Sequence, residues 1–316
     1  MKLLRAVHRA TDMPKQGTVA TIGNFDGVHR GHQALLQALK AEGRRLNLPT
    51  LVVLFEPQPQ EYFKPEHASA RLTNFKEKWR QISQLGVDYI ACLRFNKALA
   101  SMSADMFAEN LIFSKFQTQS LLVGEDFRFG HGRTGDLTLL KRLAMRKYCH
   151  VQAYSDVILA SARVSSTRIR GLLHAGQMRD AAELLGRPYS MYGRVVFGDG
   201  IGRTWGVPTA NIQLKRLMLP FTGVFCVHVR RANGHIHQGV ANIGRRPTID
   251  GFTNRLEVHV LDFDGSLYHE HLEVYFLHKL RGEVKFTSRD ALIRQIQTDI
   301  LDAKTIFPRL ETHIFS

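Results

Sequence analysis

The sequence is poor in cysteine, in long apolar runs and in clustered charge. Its three cysteines, Cys92, Cys149 and Cys226, lie far apart, each in an apolar stretch. There is no CxxC pair and no even-numbered framework, so a disulfide scaffold is excluded and buried thiols in a reducing, cytoplasmic compartment are expected. No stretch approaches the ~20 apolar residues of a membrane helix, and the opening MKLLRAVHRATD lacks the apolar core of a signal peptide. No membrane association is therefore expected. Basic residues never form a run of five or six, which argues against a disordered nucleic-acid arm. Internal repeats and low-complexity tracts are also missing.

What is present suits a globular chain. Apolar residues make up 44% of the 316 positions and charged residues 22%, enough for real cores. The length exceeds one ordinary core, so two domains are expected. Lysine and arginine number 43 against 28 acids, a net charge of +15. Such a surface attracts polyanions: nucleic acid, anionic membrane or phosphorylated small molecules.

Between 18 and about 155, apolar strands alternate with amphipathic helices. Strands are expected at 18–25, 50–55, 87–95, 120–127 and 149–154, and helices at 32–46, 71–86, 103–113 and 136–147. This alternation predicts an α/β fold with a doubly wound parallel sheet. Residues 164–186 read as two short helices split at Gly176. Beyond Gly186 the pattern becomes short β-rich runs closed by one amphipathic helix, 288–307, which predicts a small β-barrel with a terminal helix. The expected domains are 1–186 and 187–316.

The string GNFDGVHRGH (23–32) ends the first of these strands, where open α/β sheets place their ligands. His29 and His32, three apart at a helix start, share a face, and free helix N–H groups there favour an anion. A histidine so placed can donate to a phosphoryl oxygen and stabilise charge developing in transfer. Gly23 and Gly27 allow close backbone approach. Two histidines three apart are ordinarily surface residues or half of a metal site, but no acid follows in zincin spacing and no third ligand is suggested. RVSSTRIR (163–170) brings three positive charges and three hydroxyls to a helix start, which suits pyrophosphate; alone it would be an ordinary capping run. GHGRTG (130–135) matches G-x-G-x-x-G but lies past the fourth strand of the series, so a mobile glycine-rich loop, one that could open the site, fits better than a dinucleotide fingerprint.

In the C-terminal half, GRVVFGDGIGRTWGVPTANI (193–212) contains Gly198, Gly200, Gly202 and Gly206, a loop able to present N–H groups to phosphate, without the GK[ST] of a Walker A motif. Thr209 and Asn211, two apart, share a strand face and offer hard oxygens to magnesium. Seven histidines, at 228, 235, 237, 259, 269, 271 and 278, crowd this half without a recognisable ligand spacing, and read as exposed faces.

Taken together, GNFDGVHRGH, LLVGEDFRFGHGRTGD (121–136) and RVSSTRIR resemble the nucleotidylyltransferase module of the prokaryotic bifunctional riboflavin kinase/FMN adenylyltransferases. The PTAN segment, GVFCVHV (223–229), GVANIGRRPTI (239–249), RLEVHVLDF (255–263) and YFLHKLRGEVKF (275–286) are similar, in order, to the flavokinase module of the same family. The likeness spans about 15 to 305. It implies phosphorylation of riboflavin by ATP in the C-terminal domain and adenylylation of FMN by a second ATP in the N-terminal one, with Mg2+ as cofactor. It implies His29 and His32 at the α-phosphoryl, and Gly23 and Phe25 in the nucleotide site. Asp126 then lies near a nucleotide or flavin phosphate, and Arg163, Ser166, Thr167 and Arg170 hold the triphosphate. In the kinase it implies Gly198 and Gly202 at phosphate, Thr209 and Asn211 on the metal, Glu257 as the base and Arg281 as a phosphate contact. Gln58 in FEPQP (55–59) stands where the family usually has histidine, and is assigned no role. No nucleic acid and no obligate protein partner is expected. The competing reading is a basic nucleic-acid binder with a degenerate nucleotidyltransferase domain.

Overall fold

The computed structural model describes residues 1–4, 14, 16–198, 202, 205–214, 216–248 and 251–310, without the side chains of 246–248 and 251–252. Short strands, apolar and buried on both faces at the centre, build the first sheet: β1 (Lys2–Leu4), β2 (Thr18–Ile22), β3 (Thr50–Glu56), β4 (Tyr89–Arg94), β5 (Thr118–Gly124) and β6 (His150–Tyr154). Their order is β1-β4-β3-β2-β5-β6 and every pairing is parallel. Period two sorts the side chains onto two cores. Ala20, Ile22, Leu51, Val53, Leu121 and Val123 face one way. Val19, Val52, Leu54, Ile90 and Leu122 face the other, together with Leu35, Leu36 and Leu39 of α1 (Arg30–Leu46) and Ile82 of α3 (Phe75–Gln84). The first face packs against Leu99 of α4 (Lys97–Ala100), against α5 (Ala104–Met106), which continues as a π-helical stretch Phe107–Lys115, and against α6 (Leu137–Met145). The doubly wound sheet is therefore as expected; β1 lies in a stretch assigned no element from sequence. Because β3 and β4 lie to one side of β2 and β5 to the other, the order reverses between β2 and β5, where ligand crevices form.

The helix expected over 71–86 starts only at Phe75. The carbonyl of Leu72 accepts from the Tyr189 hydroxyl and, like that of Arg71, from Arg216, so this segment's carbonyls are already engaged outside a helix. A short helix, α2 (Pro59–Phe63), is capped by Gln58, whose N–H donates to the Glu61 carboxylate at 2.9 Å.

Two compact units divide the chain: Met1–Ser69 with Phe75–Val164, and Ala70–Asn74 with Ser165–Ser316. This division falls at 164/165 rather than the expected 186/187, because α8 (Met178–Leu185) packs on β9 (Tyr189–Val196) and β14 (His271–Arg281). α7 (Ser166–Ala175) ends at the left-handed Gly176 between the two helices, as expected. With β10 (Ala210–Gln213), β11 (Gly223–Arg230), β12 (Ile236–Thr248) and β13 (Gly251–Val260), β9 and β14 close an antiparallel barrel in the order β10-β13-β12-β11-β14-β9. Phe225, Val227 and Val229 are fully buried, while the alternate Val224 and Cys226 pack beneath Ala303 and Phe307, at the end of α9 (Arg289–Ile306). All three cysteines are free thiols, and burial pushes Cys149 and Cys226 up to about 12.

One buried acid ties α1 to the sheet. Glu42 accepts a fork from Arg45 at 2.8 and 2.9 Å and the Ser120 hydroxyl of β5 at 3.0 Å. The Arg45 bond, with help from Ser120, holds its carboxyl below the usual glutamate range against the opposing cost of burial. A depressed carboxyl stabilises the fold above its unfolded value and loses that contribution as pH falls through its folded value. Glu42→Gln is therefore expected to cost about 1 kcal/mol at neutral pH. The difference from wild type should close below about pH 4.5. Urea unfolding followed by Trp79 in a Trp205→Phe background measures both.

Candidate active sites

The turn from β2 into α1 leaves ordinary backbone space. Phe25 and Val28 have φ of +47° and +42°, and Gly27 has +82°. Non-glycine residues in this left-handed region are strained and persist only when their surroundings hold them. Here both side chains are anchors, each 1% exposed in the core beneath α1. His29 then becomes the N-cap of α1, and its Nδ1 accepts the His32 N–H in a long bond of 3.4 Å. An accepting Nδ1 leaves the neutral ring's proton on Nε2, which fixes the ring's donor. The two imidazoles stack with centroids 3.7 Å apart and planes at 17°, and Phe25 lies 4.9 Å from His32. The intervening glycine has a reason: a Cβ on Gly31 would meet the His29 ring at 3.2 Å. The expected pair is assembled, with His29 one position before the helix rather than inside its first turn.

Across the switch point, the loop after β5 carries Asp126. Its carboxylate accepts from Arg163 at 2.8 Å, and the same guanidinium reaches Asp156 at 2.9 Å. The Asp126 bond raises the Arg163 pKa above its ordinary value. Arg163 lies on β8 (Ala162–Arg163), paired with β7 (Ile158–Leu159). The glycine-rich stretch, expected to be mobile, is pinned: Phe129 and Gly135 exchange backbone bonds of 3.0 and 2.9 Å, and the His131 N–H donates to the Met102 carbonyl at 2.7 Å. Ser166 and Thr167 open α7 and Arg170 follows one turn on, with Ser165 as the cap accepting the Arg168 N–H. These residues belong to the second compact unit.

In the barrel, Asn211 of β10 lies directly opposite Glu257 of β13 in the ladder, so both side chains share one face. Arg255 joins them: its Nε donates to Asn211 Oδ1 at 3.2 Å and its outer nitrogen meets Glu257 at 3.1 Å. Glu257 is 25% exposed, partly shielded rather than a fully solvated strand residue. Thr209 enters the same strand, after Pro208, whose carbonyl bonds His259 Nδ1 at 2.8 Å. Gly198 and Gly202 are required by proximity. A Cβ on Gly198 would overlap the Asn211 amide, and one on Gly202 would sit 2.5 Å from the Val207 carbonyl and 3.4 Å from Thr209 Oγ1. Gly200 lies outside the described residues. Arg281, expected at phosphate, spends its fork on buried Asp299 of α9 at 2.8 and 2.7 Å. The barrel histidines are scattered: His228 stacks on Phe307, His271 on Tyr192, and His237 meets Phe263 edge-on. Burial pushes the His228 pKa below its usual value. No group of three His, Cys, Asp or Glu able to hold a metal occurs among the described residues.

Comparison with known proteins finds one family model on each half of the chain. The family model for FAD synthetase matches residues 11–168 and that for riboflavin kinase matches 185–307. The bifunctional riboflavin kinase/FMN adenylyltransferase of Escherichia coli (strain K12) is 45% identical over 97% of this chain and 98% of its own length. That of Haemophilus influenzae is 42% identical over 97% and 99%. The chain belongs to the bifunctional riboflavin kinase/FMN adenylyltransferase family. A crystal structure described as a macrolide-efflux protein from Streptococcus pneumoniae covers 96% of this chain and 99% of its own, at TM-score 0.81 and 30% identity. Among the described residues of this chain, no helix is long and apolar enough to cross a membrane. Both matching models are enzymes of this family, and the reading as a degenerate nucleic-acid binder finds no support.

Three features of this family member escaped the motif reading. Arg255 is one, two positions before Glu257 and so on its face. An exposed aromatic group is another: Tyr62, Phe63 and Phe95 meet edge to face with centroids 5.4–5.7 Å apart, beyond the ends of β3 and β4. The third is Lys78, 1% exposed. It occupies the apolar stripe Phe75, Lys78, Trp79, Ile82, where a charge is out of place.

The His29 geometry is open to direct test. Nitrogen NMR of histidine-labelled protein should show His29 as the Nε2–H tautomer. Gly31→Ala should disturb that signature, since the added Cβ meets the ring; an unchanged His29 spectrum would mean the glycine is not there for the ring.

Proposed function

We propose that the barrel transfers the γ-phosphoryl of ATP to riboflavin, giving FMN, and that the N-terminal unit transfers AMP from a second ATP to FMN, giving FAD and pyrophosphate. The observation that carries this is the pairing of two phosphoryl-handling arrangements on one chain: the stacked His29–His32 pair at a helix start, and Asn211 facing Glu257 across a ladder. The family match to both enzyme models supports the same reading.

In the N-terminal unit no covalent intermediate is needed. His29 Nε2–H, held in orientation by the Nδ1 bond, donates to an α-phosphoryl oxygen, and the His32 ring and the positive end of the α1 dipole add to the same anion site. Asp126 and Arg163 lie beyond the end of β5, beside the switch point of the same unit. Tyr62 and Phe63, packed edge to face with each other and with Phe95, expose apolar ring faces that suit an isoalloxazine ring.

In the barrel, Glu257 accepts the proton of the terminal ribityl hydroxyl as it attacks. Mg2+ fits the donor set: Thr209 and Asn211 offer hard oxygens, and Asn211 Oδ1 is already turned toward a cation, Arg255. When bound, the ion would neutralise charge on the transferring phosphate. The bidentate Asp299 bond makes Arg281 first a clamp between β14 and α9, and any phosphate contact must be made from there. Three cysteines outside any disulfide fit a reducing cytoplasm.

The test is chromatographic, with riboflavin, ATP and magnesium as reactants and FMN and FAD resolved over time. His32→Ala should lower FMN-to-FAD conversion by about 10²-fold or more and spare riboflavin phosphorylation. Glu257→Ala and Asn211→Ala should do the reverse, by a similar factor. Loss of both activities in His32→Ala would defeat the two-site reading, and kinase activity surviving Glu257→Ala would remove that base.

A further inference from the structure

Lys78 is the least expected buried residue of the N-terminal unit. It lies on α3 with 1% of its surface exposed, and lysine is almost never buried so fully without a directed partner. Its Nζ donates to the main-chain carbonyl of Asn24 at 2.5 Å. Asn24 immediately precedes Phe25, the first of the two left-handed residues in the turn that presents His29. The only cis peptide among the described residues is at Pro57, so the 24–25 peptide is trans. Its carbonyl and the Phe25 N–H therefore point in opposite directions. A cation on the carbonyl fixes the plane of that peptide, aims the Phe25 N–H away from the buried ammonium, and polarises it as a donor.

The geometry points to Lys78 as a positioning residue for adenylyl transfer: it locks the 24–25 peptide, and through it the strained turn that sets the His29 ring. This inference rests on the proposed FMN adenylylation. It explains why a charge occupies an apolar stripe. Phe25 and Val28 fix where the turn's side chains go, but neither fixes the rotation of the peptide between 24 and 25. A neutral side chain of the same length would fill the space and leave that rotation unset.

The experiment replaces Lys78 with Met, close in length and without charge, and compares the full-length protein with wild type. Expected are a kcat for FMN-to-FAD conversion about tenfold lower or more, with the KM for FMN within about threefold, and unchanged riboflavin phosphorylation. The nitrogen spectrum of His29 should shift in the same variant, a change that lost stability alone would not produce in folded protein. A variant with wild-type kcat and an unchanged His29 spectrum overturns the proposal and leaves Lys78 a packing residue. Should Lys78→Met fail to fold, Lys78→Leu, likewise without a donor, is read by the same two measurements against the same two outcomes. Wild type that makes no FAD would instead reject the adenylylation reading; the His29 spectrum would then still decide whether Lys78 sets the turn.

Discussion

The N-terminal unit depends on a turn that must convert a strand into a helix while setting His29 as the cap of α1. The chain does this by placing Phe25 and Val28, residues with full side chains, at positive φ. Each such residue costs on the order of 1–3 kcal/mol. Burying a phenylalanine and a valine to 1% exposure returns roughly 1.5–3 kcal/mol apiece. The two magnitudes are comparable, so the core beneath α1 holds the turn in place but leaves little surplus. A directed bond from Lys78 to the turn's carbonyl is then no small addition. The site and the core share the same residues, and a change in the packing of Phe25 is a change in the geometry of His32, whose ring it touches.

The barrel solves a similar problem with registry. Antiparallel pairing sets Asn211 against Glu257 and also Asn242 against Glu257, so the acid sits between two amides on a rigid ladder. Close approach of the loop is achieved by leaving out side chains: Gly198 and Gly202 have no Cβ where Asn211 and the Val207 carbonyl already stand. The placement of Glu257 is fixed by hydrogen-bonded neighbours on two strands rather than by a strained turn.

Much of this was legible in the residues. Short apolar runs such as TVATI and TLVVLF, alternating with segments of 3.6 period, gave the doubly wound sheet, and Gly176 correctly separated two helices. Glycine, histidine and PTAN spacings pointed to the segments where His29 stacks on His32 and Asn211 faces Glu257. What was not legible depends on partners distant in sequence. The helix before Phe75 fails because Arg216 and Tyr189 take its carbonyls, which no local pattern reveals. The compact division at 164/165 follows from α8 packing on the barrel. The loop at 130–135 has the composition of a flexible segment, yet a bridge and the Met102 carbonyl fasten it. Lys78 was visible as a breach of the apolar stripe, a signal that catalytic motif reading passes over.

Net charge of +15 suggests a surface waiting for phosphate, but the described site arginines are not bare. Arg163 is held between Asp126 and Asp156, and Arg255 between Asn211 and Glu257. These acids compete with a phosphate for the same guanidinium, which weakens simple attraction. They also keep a long side chain extended in one geometry, so less ordering remains to be done when ligand arrives. The second effect favours selectivity over bare affinity. An anion must match the fork already set by the carboxylates, a condition that a polyphosphate chain can meet and a diffuse polyanion meets poorly. The placement of acids beside the site arginines therefore fits small phosphate esters better than nucleic acid, although total charge alone could not distinguish them.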